Sequence, residues 1–438
     1  MQRESRPQAS FEEDEDFEIT GKESHAFSNN PLGGGIKEEE LKKIKAYLGT
    51  LDDYKTDQAK LDAKAGEIQT MLKSIRKELK RYKSPGSTMT KKEADDYQDE
   101  LLRVFNQMLD ANPAYYLADE ELLKTETLFR TALIMNARMS SDRGCEYGSN
   151  DVSDQDKEMF IDKTYWQRTP YEKEFKPTGT GTASDAVKNI FKSGTLLECD
   201  TMLTSNVYKS LLDILGPEEF NKRFNNSEAL EISETGFYKD DGGQLLEQGI
   251  MEVVKIDKFE DLIPGDWVYF VNVPYYQYVL PQGIFTGENA VYEGYKTDEN
   301  KPVEKKNAMF SGFGLENKTY ETMLASLVAG YKGGVETWSG FDKNKQAIMA
   351  SCAFFEIDPW ILQYNMGLFK VEFTGEQSAV VERLGKKIEI PNIYAPPLTN
   401  EDLPRLSIND PHMRTMENSF PGISMMVKRP VASKLKGG

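Results

Sequence analysis

Residues 194–215 read GTLLECDTMLTSNVYKSLLDIL. Leu203, Val207, Leu211 and Ile214 recur at steps of four, four and three, the spacing of one apolar face of an α-helix. Gly216 and Pro217 then stop that helix. Cys199 stands where it begins, directly after Glu198. The free N–H groups of a helix N-terminus carry partial positive charge and favour thiolate over thiol. A thiolate is a nucleophile. The plainer alternative makes Cys199 a small buried hydrophobe, and the stretch alone leaves both readings open.

A chain of 438 residues has room for two or three domains. Hydrophobic residues make up 39% and include 22 Phe, enough for a sizeable core. No apolar run is long enough to cross a bilayer. The first residues, MQRESRPQASFEEDEDFEIT, lack the apolar centre of a secretory signal. The expectation is a protein that is cytoplasmic as made, with a specialised secretion system the route if it is exported. A formal net charge of −18 argues against nucleic acid and anionic membranes as partners. Cys145, Cys199 and Cys352 are too widely spaced for a disulfide framework or a zinc motif. His25 and His412 fall in polar terminal stretches. Neither a histidine-based triad nor a metal is therefore expected, and no cofactor.

Residues 1–36 are acidic and end in PLGGG, which reads as a disordered tail and hinge. Leu41, Ile44, Leu48 and Leu51, then Leu61, Ala65, Ile68, Leu72, Ile75, Leu79 and Tyr82, follow a heptad-like stripe, predicting one long helix. SPGST at 84–88 breaks it. Thr90 and Glu93 form a capping box for a second helix, and a third runs from about 119 to 139. Residues 37–140 thus read as a helical arm, with 38–83 able to take a helical partner. Gly179-Thr180-Gly181-Thr182 lacks the pattern of a phosphate loop and reads as a loop into a helix capped by Ser184.

Beyond the cysteine helix the hydrophobic period changes from helical to alternating. Trp267–Val273, 286–295 and 308–315 read as strands, the first entered through Pro264-Gly265-Asp266. Asp266 reads as a turn residue. A further helix follows, ending in glycines. Residues 341–438 form an extension with an apolar helix containing Cys352, a strand at KKIEIP, and a proline-rich end expected to wrap a surface or stay flexible. The fold class expected is α+β, with a cysteine-bearing helix packed on an antiparallel sheet, as in papain-like thiol enzymes.

Five segments occur in a telling order: AVKNIFKSG (186–194), ECDTMLTSNVYKSLLDILGPEEFNKRF (198–224), IPGDWVYFVN (263–272), GENAV (287–291) and FSGFG (310–314), with TYW at 164–166 upstream. Together they resemble bacterial protein-glutamine γ-glutamyltransferases of the spore-coat type over roughly residues 160–340. The resemblance implies a papain-like catalytic core with a tunnel-like active site, and Cys199 as nucleophile. It implies a partner carboxylate at Glu288, or at Glu198, and no cofactor. It implies a protein substrate with an accessible glutamine, and a lysine or other amine as acceptor. The family's Gly-His-Gly turn reads Gly312-Phe313-Gly314 here, after a charged insertion at 296–306.

The residues suggest how such a site would run. Cys199 attacks a carboxamide, and backbone N–H groups at the helix start hold the oxyanion. Glu288, with its pKa raised by an apolar lining that includes Phe270 and Tyr292, takes the thiol proton and passes it to ammonia. An amine then gives an isopeptide crosslink, and water gives deamidation. The alternatives are a papain-like thiol peptidase or amidase, and a catalytically inactive binding protein. A toxin-like effector is the broader role the added helices suggest.

Overall fold

The structure is a computed structural model that describes residues 34–83, 91–140, 143–148, 159–168, 174–192, 194–225, 230–233, 244–256, 258–272, 287–295, 307–313, 315–339, 342–351, 366–375, 378–390, 407–408 and 424–436. The tail before residue 34, the SPGST break, Thr90, His25, His412, Cys352, the insertion at 296–306 and Gly314 lie outside the described residues.

The chain is α+β. Its helical part opens with α1 (Gly34–Leu48) and α2 (Gln58–Leu79). The single long helix expected here is two, because the first ends at Gly49 and Asp57 starts the second, its carboxylate accepting the Lys60 N–H at 2.9 Å. The apolar stripe still does its predicted work. Leu61, Ala65, Ile68, Leu72, Ile75 and Leu79 are all buried, and α1 folds back against α2. Next come α3 (Lys91–Ala111) and α4 (Glu120–Arg138), the latter capped by Asp119. α4 is buried nearly all round because it packs on α3, on the cysteine helix and on the main sheet. α5 (Ala183–Ile190) is capped by Thr182, not Ser184, in a capping box with Asp185. α6 (Cys199–Phe224) is broken at Gly216-Pro217, where the sequence places the stop. Gly216 takes φ 75°, open to glycine, and the helix resumes after this kink.

Small sheets surround this core. β1 (Glu146–Tyr147) runs parallel to β4 (Leu196–Leu197), and β2 (Trp166–Arg168), β3 (Glu174–Pro177) and β5 (Ile232–Ser233) form an antiparallel trio. The main sheet uses β6 (Met251–Val254), β7 (Trp267–Val271), β8 (Gly287–Tyr295), β9 (Ala308–Gly312) and β10 (Leu315–Thr319). After β11 (Phe369–Phe373), β12 (Ala379–Arg383) and β13 (Lys386–Ile390), an antiparallel sheet of their own, β14 (Ser407–Ile408) and β15 (Ser424–Pro430) join the main sheet. Its order is β10-β9-β8-β7-β15-β14, with β6 also on β15; only the β14–β15 pair is parallel. The proline-rich end is expected to wrap a surface or stay flexible, yet its β15 lies inside the sheet, antiparallel to β7 and β6, and Met425, Met426, Val427 and Lys428 are buried.

Strand alternation gives this sheet two different faces. Trp267, Val291 and Met426 share one apolar core with α4 and α6. Phe270, Tyr292 and Phe310 point the other way and pack edge to face or tilted against Phe259 and Tyr320.

Candidate active site

Cys199 is the first residue of α6, with Glu198 as N-cap in extended conformation. The Glu198 carboxylate makes no capping bond to the helix; its backbone carbonyl accepts the Met202 N–H at 2.9 Å. α6 packs on β8, which brings the helix start against the sheet. The side chain that meets the sulfur there is Asn289, whose Nδ2 donates to Cys199 Sγ at 3.2 Å. Trp267 Nε1 donates to Asn289 Oδ1 at 2.8 Å. An indole N–H can only donate. The amide oxygen must face it, and the amide nitrogen is left aimed at the sulfur.

Glu288 is the neighbour of Asn289 on β8, so alternation sends it to the other face, in register with Phe270 and two positions from Ala290. No hydrogen bond joins Glu288 to Cys199 among the described residues. Its charge nonetheless reaches the thiol. Burial pushes the Cys199 thiol well above its ordinary value, and the charges of Asp200, Glu288 and Glu198 push the same way. The Asn289 N–H works against them. Burial and the three carboxylates thus oppose the thiolate that the helix terminus favours. Glu288, also raised by burial, is pushed up to about 7. Cys199 and Glu288 are both half-buried.

The site has further members that the sequence did not announce. Asn289 does not titrate and carries no motif of its own; only the alternation of GEN could have separated it from Glu288. Lys428 of β15 is 1% exposed, and its Nζ stands 4.1 Å from the centre of the Trp267 ring. Burial lowers its pKa to about 7, with Asp200 opposing. Phe313, where the resemblance would place a histidine, is half-buried against the core that contains Trp267 and Val291. It follows Gly312, which pairs with Ala290. A Cβ at Gly312 would stand 2.2 Å from the Asn289 carbonyl oxygen, so only glycine lets β9 approach β8 this closely. Cys145, the other described cysteine, is buried, its Sγ 3.6 Å from the Ile190 carbonyl oxygen.

Asp266, expected as a plain turn residue, is fully buried and paired with two arginines. Arg130 Nη1 reaches Oδ1 at 2.8 Å and Arg429 Nη2 reaches Oδ2 at 2.7 Å. Among the described residues no group of three or more His, Cys, Asp or Glu side chains is placed to hold a metal ion, and no helix is long and apolar enough to cross a membrane.

Residues 80–349 match the family model described as protein-glutamine gamma-glutamyltransferase. Curated proteins of that name are similar to this chain. One from Bacillus cereus (strain B4264) is 27% identical over 238 residues, which is 54% of this chain and 73% of the relative. Those from Bacillus cereus (strain AH820) and Bacillus anthracis (strain A0248) are 31% identical over 173 residues, 39% of this chain and 51% of each relative.

Proposed function

The chain belongs to the protein-glutamine gamma-glutamyltransferase family, and we propose that it transfers the acyl group of protein-bound glutamine through a thioester on Cys199. The observation that carries this is the half-buried thiol at the start of α6, hydrogen-bonded by Asn289 and close to a carboxyl pushed up to about 7. A cysteine helix laid on an antiparallel sheet supports a papain-like core.

In this reading the thiol is not ionised beforehand. Glu288 takes the Sγ proton, directly or through one water, as the sulfur attacks the glutamine carboxamide carbon. Asn289 Nδ2–H and the N–H groups of the α6 first turn donate to the charge that develops on sulfur and oxygen. The C–N bond breaks, and protonated Glu288 returns the proton to the leaving ammonia. A lysine amine attacks the thioester next, forming the isopeptide and releasing Cys199. Water at that step gives glutamate instead. A pKa near neutral suits Glu288 to both halves of the cycle. Glu198 is the second candidate for this duty; its nearness raises the thiol, which is the wrong direction for holding a thiolate.

The experiment incubates the purified chain with a glutamine-bearing protein and a fluorescent primary amine, with ammonia and mass increments followed together. Amine incorporation and ammonia release that vanish in Cys199→Ala support acyl transfer. Glutamate formation with no amine incorporation makes the protein a deamidase. Backbone cleavage with neither makes it a peptidase and overturns the proposal.

A further inference from the structure

The C-terminal strand β15 lies outside the residues that match the family model, yet it runs beside β7 in the middle of the main sheet. Its Lys428 is directly opposite Trp267 on β7 and Val253 on β6. Directly opposed residues of paired strands share a face. Lys428 therefore stands on the side of Asn289 and α6, over the Trp267 ring and near Asp200 in the first turn of α6. A cation over an indole face is attracted by the ring's electron density, most strongly where water is excluded, and Lys428 is 1% exposed.

We propose that β15 completes the active site, with Lys428 as a positioning residue that seats the Trp267 ring, so that Trp267 fixes the Asn289 amide and Asn289 donates to the Cys199 sulfur. The contacts form an unbroken series: Nζ 4.1 Å from the ring centre, indole N–H to Oδ1 at 2.8 Å, Nδ2 to Sγ at 3.2 Å. Without the ring in place the amide loses the partner that decides which of its ends meets the thiol. Lys428 also sets a positive charge among carboxylates of one sign. The charges of Glu198 and Asp200 reach the thiol from α6 and that of Glu288 from the other face of β8, and β7 adds Tyr269 opposite Asn289. This deepens the proposed function, since it rests on Cys199 being the reacting thiol.

The test is the rate of Cys199 alkylation by iodoacetamide in the folded full chain, across pH, with Cys145 and Cys352 replaced by serine. This readout does not involve glutamine, so it stands or falls separately from acyl transfer. Lys428→Met should slow alkylation roughly ten-fold near neutral pH and move its profile to higher pH, the size of losing one charged or charge-assisted contact. Lys428→Arg should restore most of the rate, because the cation and its stem are kept. Asn289→Ala should slow alkylation as much, and adding Lys428→Met to it should cost little more, as expected of residues acting in series. If Lys428→Met does not fold, Trp267→Phe, which keeps an aromatic face and removes the indole N–H, must show the same shift. A folded Lys428→Met or Trp267→Phe protein with the parental rate and profile would overturn the proposal. Unchanged alkylation together with lost amine incorporation would do so as well, and would leave the acyl-transfer reading standing.

Discussion

Two clusters of buried ionisable groups meet on neighbouring residues of β15, and they are built on opposite plans. Around Asp266 the charges are matched. Arg130 pairs with Asp266 and with Glu126, whose Oε1 it reaches at 2.8 Å, and Arg429 holds the second Asp266 oxygen. Burial alone would raise Asp266, but Arg429 and Arg130 overcome it and hold the carboxyl below its ordinary value. Around Cys199 the charges are mismatched: Glu198, Asp200 and Glu288 gather at one thiol, and thiol and Glu288 are both raised. A matched cluster fixes its protons and ties α4, the Pro264–Asp266 turn and the last strand together. A mismatched cluster is costly to keep, and it is where a proton can move near neutral pH.

That contrast breaks first at the sulfur. Cys199→Ala should abolish amine incorporation with the fold intact, whereas Cys145→Ala should keep activity. Activity that survives Cys199→Ala, measured by fluorescent-amine transfer, would remove the mismatched cluster from the chemistry altogether.

Next comes the matched side. Asp266→Ala leaves the buried Arg130 and the half-buried Arg429 without their shared partner and should cost about 3–5 kcal/mol of unfolding free energy. Chemical denaturation reads this directly. A loss below about 1 kcal/mol would mean that the two clusters do not differ in structural weight.

Glu288→Gln should lower turnover roughly 100-fold in a protein that stays folded, the scale of general acid–base catalysis. If Glu198 substitutes as base, only the double change Glu198→Gln/Glu288→Gln reaches that loss. A single Glu198→Gln that is as damaging as Glu288→Gln would reverse the two roles.

The smallest effect is a pH dependence of stability. The Glu288 pKa is raised in the folded chain from 4.5 to about 7. Between those values the folded state binds more protons than the unfolded one, so stability falls as pH rises through the window. Glu288→Gln removes that fall. Its thermal midpoint relative to the parent should therefore rise between pH 5 and pH 8. Asp266, lowered instead, carries stability that is present above its unfolded pKa and lost on acidification. A Glu288→Gln difference that stays flat with pH would mean Glu288 is no more perturbed than an exposed glutamate.

Much of this was legible in residue spacing. The stripe from Leu61 to Leu79 is buried as its period demanded, and the cysteine begins a helix, as the apolar steps of 203–214 required. The strand ranges in IPGDWVYFVN and GENAV follow their alternation. The break between α1 and α2 was hidden because Leu51 keeps the stripe going past Gly49 while a local cap at Asp57 restarts the chain.

The sequence by itself determined which segments are amphipathic and with what period, because burying apolar area acts locally along the chain. It also determined the family, through motifs in order. Tertiary structure alone decided which polar groups touch. Asn289 rather than Glu288 meets the sulfur because one residue of alternation reverses the face, and α6 covers only one of the two. Lys428 and Arg429 reach Trp267 and Asp266, some 160 residues away in the chain, because β15 pairs with β7. Such pairing is fixed by the whole sheet, and a pKa follows from the burial and charges it assembles, so neither can be read from a residue and its neighbours in sequence.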